Sequence, residues 1–290
     1  MKIEIKNVTK KYASGKVGLS NFSMTIENGV LGLLGANGAG KSTLLNLIST
    51  MHTVTTGKIF LNQNDVTKKP DEIRKILGYL PQSFGFYPEL NTYEFLEYIA
   101  ALKGVDRKSV SDKINELLEL LNLTDIASKP LHSYSGGMKQ RVGIASALIN
   151  DPKILLLDEP SVGLDPEERS RFNNLISELS KDRIVILSSH IISDIESVSD
   201  TVAILKEGLL LIHDQKNNLV EKVNKKIFES VISDQQHFDL TRKNQIIHSL
   251  KTIDGYKTRY LSNHYSSKEE EVIPTLADAF VYFNKGLIHE

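Results

Sequence analysis

Residues 30–44 read VLGLLGANGAGKSTL. The run Val30 to Leu34 is continuously apolar and follows an Asn28-Gly29 turn, so it reads as a strand buried on both faces. Gly35-Ala36-Asn37-Gly38-Ala39-Gly40-Lys41-Ser42 fits the spacing G-x-x-x-x-G-K-[ST]. Glycines at these positions let successive backbone N–H groups curl into an anion nest without Cβ clashes. A helix over about 41–49 then points its positive end at the bound anion. Lys41 supplies a point charge for β- and γ-phosphates, and Ser42 offers a hydroxyl to Mg²⁺. The stretch therefore predicts strand, phosphate loop and helix, and a nucleoside triphosphate as ligand.

Outward from this centre, residues 2–8 and 17–26 alternate polar and apolar like strands of an antiparallel layer. Short strands are expected over 57–61 and 76–80. A helical block runs over 92–122, broken near Gly104 and restarted after Ser109. Another helix starts after Ser135-Gly136-Gly137 and stops at Asp151-Pro152. KILLLD (Lys153 to Asp158) is a second doubly buried strand. Helix 166–180, strand 183–188, helix 191–199 and strand 201–206 then alternate, which argues for an α/β core with a mostly parallel sheet.

LLLDEP (Leu155 to Pro160) puts Asp158 and Glu159 at the C-terminal end of a strand, where ligands bind in an open α/β sheet. Asp158 suits Mg²⁺, and Glu159 suits polarisation of an attacking water. His190 follows the strand Arg183 to Ser189, and Gln82 follows Ile76 to Pro81; each sits at another strand end of that sheet.

The chain has 290 residues, about two domains' worth. Apolar residues at 40% and charged residues at 24% are ordinary for a globular protein. The net charge of -1 shows no basic excess, so no nucleic-acid partner is expected. With no cysteine, disulfides and thiolate metal sites are excluded. No apolar run reaches membrane-spanning length, and the first residues read as a strand with no signal-peptide hydrophobic region. A cytosolic chain is expected.

YSGGMKQR (Tyr134 to Arg141) adds a second anion site, because Ser135, Gly136 and Gly137 cap a helix. With the motifs above, the chain resembles the ABC ATPases, whose order of motifs it follows over residues 1–212. The resemblance implies a P-loop NTPase core of ABC type with an antiparallel β layer and a helical signature subdomain at about 84–150. It implies ATP and Mg²⁺ as ligands, with Tyr12 stacking on adenine and Gly35 to Thr43 holding the phosphates. Ser42, Gln82 and Asp158 serve the metal, and Lys41, Gln82, Glu159 and His190 serve catalysis. Ser135 to Gly137 and Asp165 of the SVGLD loop cover the nucleotide of a second ATPase subunit, identical or a close paralogue, in a head-to-tail dimer. Met138 departs from the commoner LSGGQ, but the serine and both glycines are kept.

YSGGMKQR, DEPSVGLDP, SSHIISDIES and PTLADAFVYF further resemble single-domain ATPases of bacterial exporters. These work with a separate transmembrane permease on the inner face of the membrane and handle drugs, antimicrobial peptides, lipid-linked compounds or Na⁺. A soluble ABC ATPase acting in assembly or resistance is the competing expectation. Phe84, Phe86, Tyr87, Tyr93, Phe95 and Tyr98 crowd behind Gln82, as helical core or as a groove for the permease.

Residues 213–290 read as a small α+β appendage. Strands are expected at 226–233 and 256–261 and a helix at 241–251. A last helix after Pro274 presents Leu276, Ala279, Phe280, Phe283 and Leu287, with Gly286 near its end. Lys268 to Glu271 reads as a solvated loop.

Overall fold

The computed structural model describes residues 1–243, 245–262 and 270–285. They form two compact units, divided between residues 210 and 211.

The first unit opens with β1 (Lys2–Lys11) and β2 (Val17–Glu27), followed by β3 (Gly29–Leu34) and α1 (Lys41–Ile48). Next come β4 (Thr56–Leu61), β5 (Asn64–Asp65), α2 (Pro70–Arg74) and β6 (Leu77–Leu80). Three helices follow: α3 (Thr92–Lys103), α4 (Val110–Leu120) and α5 (Gly136–Leu148). The alternating part is β7 (Ile154–Asp158), α6 (Pro166–Leu179), β8 (Ile184–Ser189), α7 (Ile192–Val198) and β9 (Thr201–Lys206). β10 (Leu209–Gln215) spans the division.

β1, β2, β4 and β5 make the antiparallel layer, ordered β2-β1-β4-β5. The second sheet has six strands in the order β10-β9-β3-β8-β7-β6, with β6, β7, β8, β3 and β9 parallel. Leu44, Leu45 and Ile48 of α1 share one core with Ile3, Ile5 and Phe22 of the layer and with Leu31, Leu33, Leu156 and Ile186 of the parallel sheet. Packing from both sides holds α1 against β3 and so fixes the loop between them. The helical segment is pinned at Tyr134, whose hydroxyl donates to the Ile126 carbonyl at 2.6 Å and lies 2.7 Å from Thr92 Oγ1.

The second unit contains α8 (Lys216–Glu221), β11 (Ile227–Ile232), α9 (Asp234–Arg242), β12 (Ile246–Thr252), β13 (Gly255–Leu261), β14 (Glu270–Glu271) and α10 (Leu276–Asn284). Its sheet is ordered β12-β13-β11-β14 and is antiparallel. The helix expected at 241–251 is a misreading. Ser233 caps a helix that starts earlier, at Asp234, through a reciprocal box with Gln236. Residues 246–252 instead pair with β13 in a hairpin closed at Thr252 and Gly255. Ile246, Ile247 and Leu250 suit either helical or strand spacing, and cross-strand pairing decides. Glu270 and Glu271 form the edge strand, not a loop, while Lys268, Glu269, Gly286 and Leu287 lie outside the described residues. On α10, Leu276, Ala279 and Phe283 are buried as expected, Tyr282 joins them and Phe280 is half-buried.

Asp278 is 1% exposed and takes two hydrogen bonds from Arg259, at 2.8 and 2.6 Å. Burial pushes its pKa up, but the Arg259 and Thr275 hydrogen bonds outweigh this and hold it below the ordinary carboxylate value. The pair therefore stabilises the fold above the unfolded carboxylate pKa of about 3.9, and that contribution is lost as pH falls through the lower folded value. Arg259→Met leaves Asp278 buried and unpaired and should cost about 3 kcal/mol in urea unfolding at neutral pH. Arg259→Met/Asp278→Leu should recover most of the loss.

Candidate nucleotide site

The phosphate loop leaves β3 near the middle of the parallel sheet, between β8 and β9. Gly40 has φ 109°, and a Cβ there would lie 2.7 Å from the Gly18 carbonyl. Only glycine fits both the left-handed backbone and the close approach. No side chain caps the N-terminus of α1, which leaves its first N–H groups for a ligand. A cleft of about 200 Å³ is lined by Asn37 to Thr43, Gln82 and Glu159.

Lys41 is 6% exposed, and its ammonium donates to the carbonyls of Gly35 at 2.6 Å and Ala36 at 3.4 Å. Burial lowers its pKa, while the charges of Glu159 and Asp158 partly restore it. A buried cation resting on neutral carbonyls beside an uncapped helix start is a good partner for a polyphosphate, which is the stronger acceptor. Tyr12 is half-buried, and its hydroxyl lies 3.0 Å from Thr43 Oγ1. Its ring meets His52 edge-on at 5.7 Å and has the Lys10 ammonium 5.4 Å from its centre.

The acidic end of β7 is almost dry. Asp158 is 2% exposed and accepts a hydrogen bond from the Ser188 hydroxyl. Glu159 is 5% exposed and leaves the strand with φ 55°. That left-handed conformation costs a non-glycine residue about 1–2 kcal/mol. Its N–H donates to the Ser188 carbonyl at 3.0 Å, and its carboxylate meets His190 Nδ1 at 2.7 Å. The structure thus gathers Lys41, Ser42, Gln82, Asp158, Glu159 and His190 at one sheet edge. The oxygen donors of Ser42, Gln82 and Asp158, one hydroxyl, one amide and one carboxylate, suit a hard divalent cation such as Mg²⁺.

Ser135, Gly136, Gly137 and Asp165 do not line this cleft. Ser135 caps α5, accepting from Met138 N–H at 3.2 Å. Asp165 caps α6 in a box with Glu168. A Cβ on Gly137 would come 2.7 Å from the Gly163 carbonyl, so the two loops lie side by side in one chain. Sequence reasoning missed the links behind them: Gln140 donates to the Pro160 carbonyl at 3.0 Å, and Arg141 pairs with Glu168 at 3.0 Å. It also missed Ser188, whose role shows only in the register Asp158↔Ser188 between β7 and β8.

Strand, phosphate loop and helix beside two strand-end carboxylates define a phosphate-loop nucleoside triphosphatase. A family model described as ABC transporter matches residues 19–162. The chain is 40% identical over 207 residues to an uncharacterized ABC transporter ATP-binding protein, YxlF, of Bacillus subtilis (strain 168), covering 71% of this chain and 68% of that one. It is 36% identical over 249 residues to the bacitracin transport ATP-binding protein BcrA of Bacillus licheniformis, covering 82% and 80%. It spans only 23% of another relative, ABC transporter A family member 8 of Dictyostelium discoideum, at 38% identity over 67% of this chain. A dimeric post-hydrolysis structure of the ATP-binding cassette MJ0796 bound to ADP and Pi superposes with a TM-score of 0.68 at 27% identity, covering 73% of this chain and 98% of that one.

The chain belongs to the ABC transporter ATP-binding proteins. It is an ABC ATPase that binds and hydrolyses ATP. Lys41→Ala should weaken binding of a fluorescent ATP analogue by at least about tenfold, roughly 1.4 kcal/mol. Unchanged affinity in a fluorescence titration would contradict the placement of the phosphates against Lys41.

Proposed function

We propose that this chain powers a bacterial exporter of drugs, antimicrobial peptides or related compounds, paired with a separate transmembrane permease on the cytoplasmic face of the membrane. The observation that carries this reading is the similarity to the bacitracin transport ATP-binding protein. It covers 82% of the chain, more than the first unit's residues 1–210 supply, so it includes part of the second unit. No helix among the described residues is long and apolar enough to cross a membrane, which agrees with a permease on another chain.

In this reading two chains, identical or closely related, close head to tail over two ATP molecules. Residues 35–43 hold the phosphates of one nucleotide and Tyr12 supports its base. Ser135, Gly136, Gly137 and Asp165 of the other chain cover it. Their absence from the chain's own cleft supports that division. Ser42, Gln82 and Asp158 would hold Mg²⁺, which supplies charge neutralisation at the β- and γ-phosphates. Glu159 orients and polarises the attacking water, and the His190 imidazole, already against its carboxylate, keeps that carboxylate aimed at the cleft. Lys41 moves its ammonium from the Gly35 carbonyl to the phosphates. Positioning and charge stabilisation then carry most of the rate.

The aromatic cluster behind Gln82 supplies the coupling surface. Phe95 is 3% exposed and belongs to the core, whereas Tyr87 and Tyr98 are 54% and 41% exposed. Their rings meet edge-on at 5.4 Å. Phe84 packs on α5, where a Cβ on Gly143 would come 2.6 Å from its ring. Phe84 also packs against Phe86, the residue before Tyr87, with ring centres 6.2 Å apart, so a permease helix on the tyrosines would bear on the segment that touches α5.

The deciding experiment is a mild-detergent pulldown of tagged Glu159→Gln with Mg-ATP from cells of its own host. This variant should bind ATP, remain closed as a dimer, lose nearly all turnover and retain a polytopic membrane protein in equal amount. Recovery of soluble partners alone, with membranes intact, would replace export by a soluble assembly or resistance role. In cells, Tyr87→Ala should lose transport while its ATP affinity stays within about twofold of the unmodified chain, since the ring lies outside the nucleotide cleft. Normal transport would remove the tyrosines from the permease contact.

A further inference from the structure

The acidic pair at the end of β7 needs something to hold it, and one side chain reaches the Asp158 carboxylate and the Glu159 backbone N–H. β7 and β8 run parallel with Asp158 beside Ser188. Neighbours in such a register present their side chains on the same face of the sheet. Ser188 is fully buried at 0% exposure, and its hydroxyl donates to Asp158 Oδ1. The Ser188 hydroxyl oxygen in turn accepts from the Glu159 N–H at 3.3 Å, and that N–H also donates to the Ser188 carbonyl. One residue thus orients the Asp158 carboxylate and steadies the left-handed backbone of Glu159. Ser189, next in the chain, serves the following turn by accepting from Ile191 N–H.

We propose that Ser188 is a positioning residue of ATP hydrolysis: through its hydroxyl it aims Asp158 at the metal and fixes the backbone turn that presents Glu159 to the attacking water. The proposal rests on the roles given above to Asp158 and Glu159. A hydroxyl suits this place because it donates and accepts at once. Its single proton is committed to Asp158, and its lone pair is left for Glu159 N–H. Alanine fits the same space but leaves a buried carboxylate without that donor, a type of loss that falls on orientation and metal affinity more than on nucleotide contact.

The test measures turnover together with the affinity of mant-ATP in EDTA and in Mg²⁺. Ser188→Ala should lower kcat by about tenfold or more, the usual scale for residues that orient a ligand from behind. Its mant-ATP affinity in EDTA should stay within about twofold, while the gain in affinity brought by Mg²⁺ should shrink by about fivefold or more. Ser188→Thr keeps the hydroxyl and should restore most of both quantities. In an Asp158→Asn background, Ser188→Ala should reduce the Mg²⁺ gain no further, since the hydroxyl acts on the metal only through the Asp158 carboxylate. If Ser188→Ala does not fold, Ser188→Cys, similar in size with a weak donor, is read in the same way. Unmodified turnover and Mg²⁺ gain in Ser188→Ala, with Asp158→Asn impaired, overturn the proposal alone. Equal losses in Ser188→Ala and Ser188→Thr at an unchanged melting temperature assign the effect to packing and also overturn it. A full Mg²⁺ gain in Asp158→Asn overturns both this proposal and the metal role of Asp158.

Discussion

One ammonium and two carboxylates are kept almost out of water at a single edge of the parallel sheet. Lys41, Asp158 and Glu159 are 6%, 2% and 5% exposed. Removing charges from water is expensive unless they are paired and hydrogen-bonded. Much of the first unit is arranged around that demand. Loop carbonyls hold the ammonium, the Ser188 hydroxyl holds Asp158, and His190 holds Glu159. Each partner comes from the end of a strand in one parallel sheet, so the registers of β3, β7 and β8 set the distances. The antiparallel layer and α1 bury the other side of the same core, which keeps the loop from collapsing into the charges.

The same edge is tied to the helical segment by polar links. Gln140 reaches the carbonyl of Pro160, next after Glu159, and Arg141 reaches Glu168 on the helix that follows Asp165. Arg141 also donates to the carbonyls of Leu121 and Asn122 at the end of α4. From the other side, the Lys139 ammonium lies 5.1 Å from the centre of the Phe86 ring. Helix α5 therefore joins the serine-glycine loop at its start, the acidic end of β7 near its second turn through Gln140, and the aromatic segment through Lys139 and Gly143. In the proposed transport reading, these hydrogen bonds and packing contacts are the route by which displacement of any of the three would strain the other two.

How much of this was legible in the sequence follows from how local each feature is. The phosphate loop is contiguous, and each residue type has a chemical reason, so the sequence sufficed for it. The doubly buried strands β3 and β7 announce themselves as unbroken apolar runs. The hydroxyl of Ser188 was invisible because its meaning lies in a partner 30 residues away, reached only through strand register. The aromatic cluster was ambiguous for a related reason: spacing does not tell that Phe95 points inward while Tyr87 points out. In the second unit the signals are weaker still. Residues 246–252 form an exposed edge strand, where periodicity fades and a hairpin partner decides the conformation.

Met138 shows how a departure from the commoner family pattern is absorbed. The cap of α5 needs two reciprocal contacts, one from the Ser135 hydroxyl and one back to the Ser135 N–H. The first is intact, with Met138 N–H donating to Ser135 Oγ at 3.2 Å. The second is made by the thioether, which accepts from Ser135 N–H at 3.4 Å. Sulfur is a weak acceptor, so the cap is softened but keeps its geometry. The parts proposed to face a second subunit's phosphate are the Ser135 hydroxyl and the glycine N–H groups, and the thioether replaces none of them. Gly136 stays open, with nothing within 4 Å of a Cβ built there, and Gly137 stays against Gly163. The substitution therefore acts on the stiffness of the loop and leaves in place the hydroxyl and N–H groups proposed to bind phosphate.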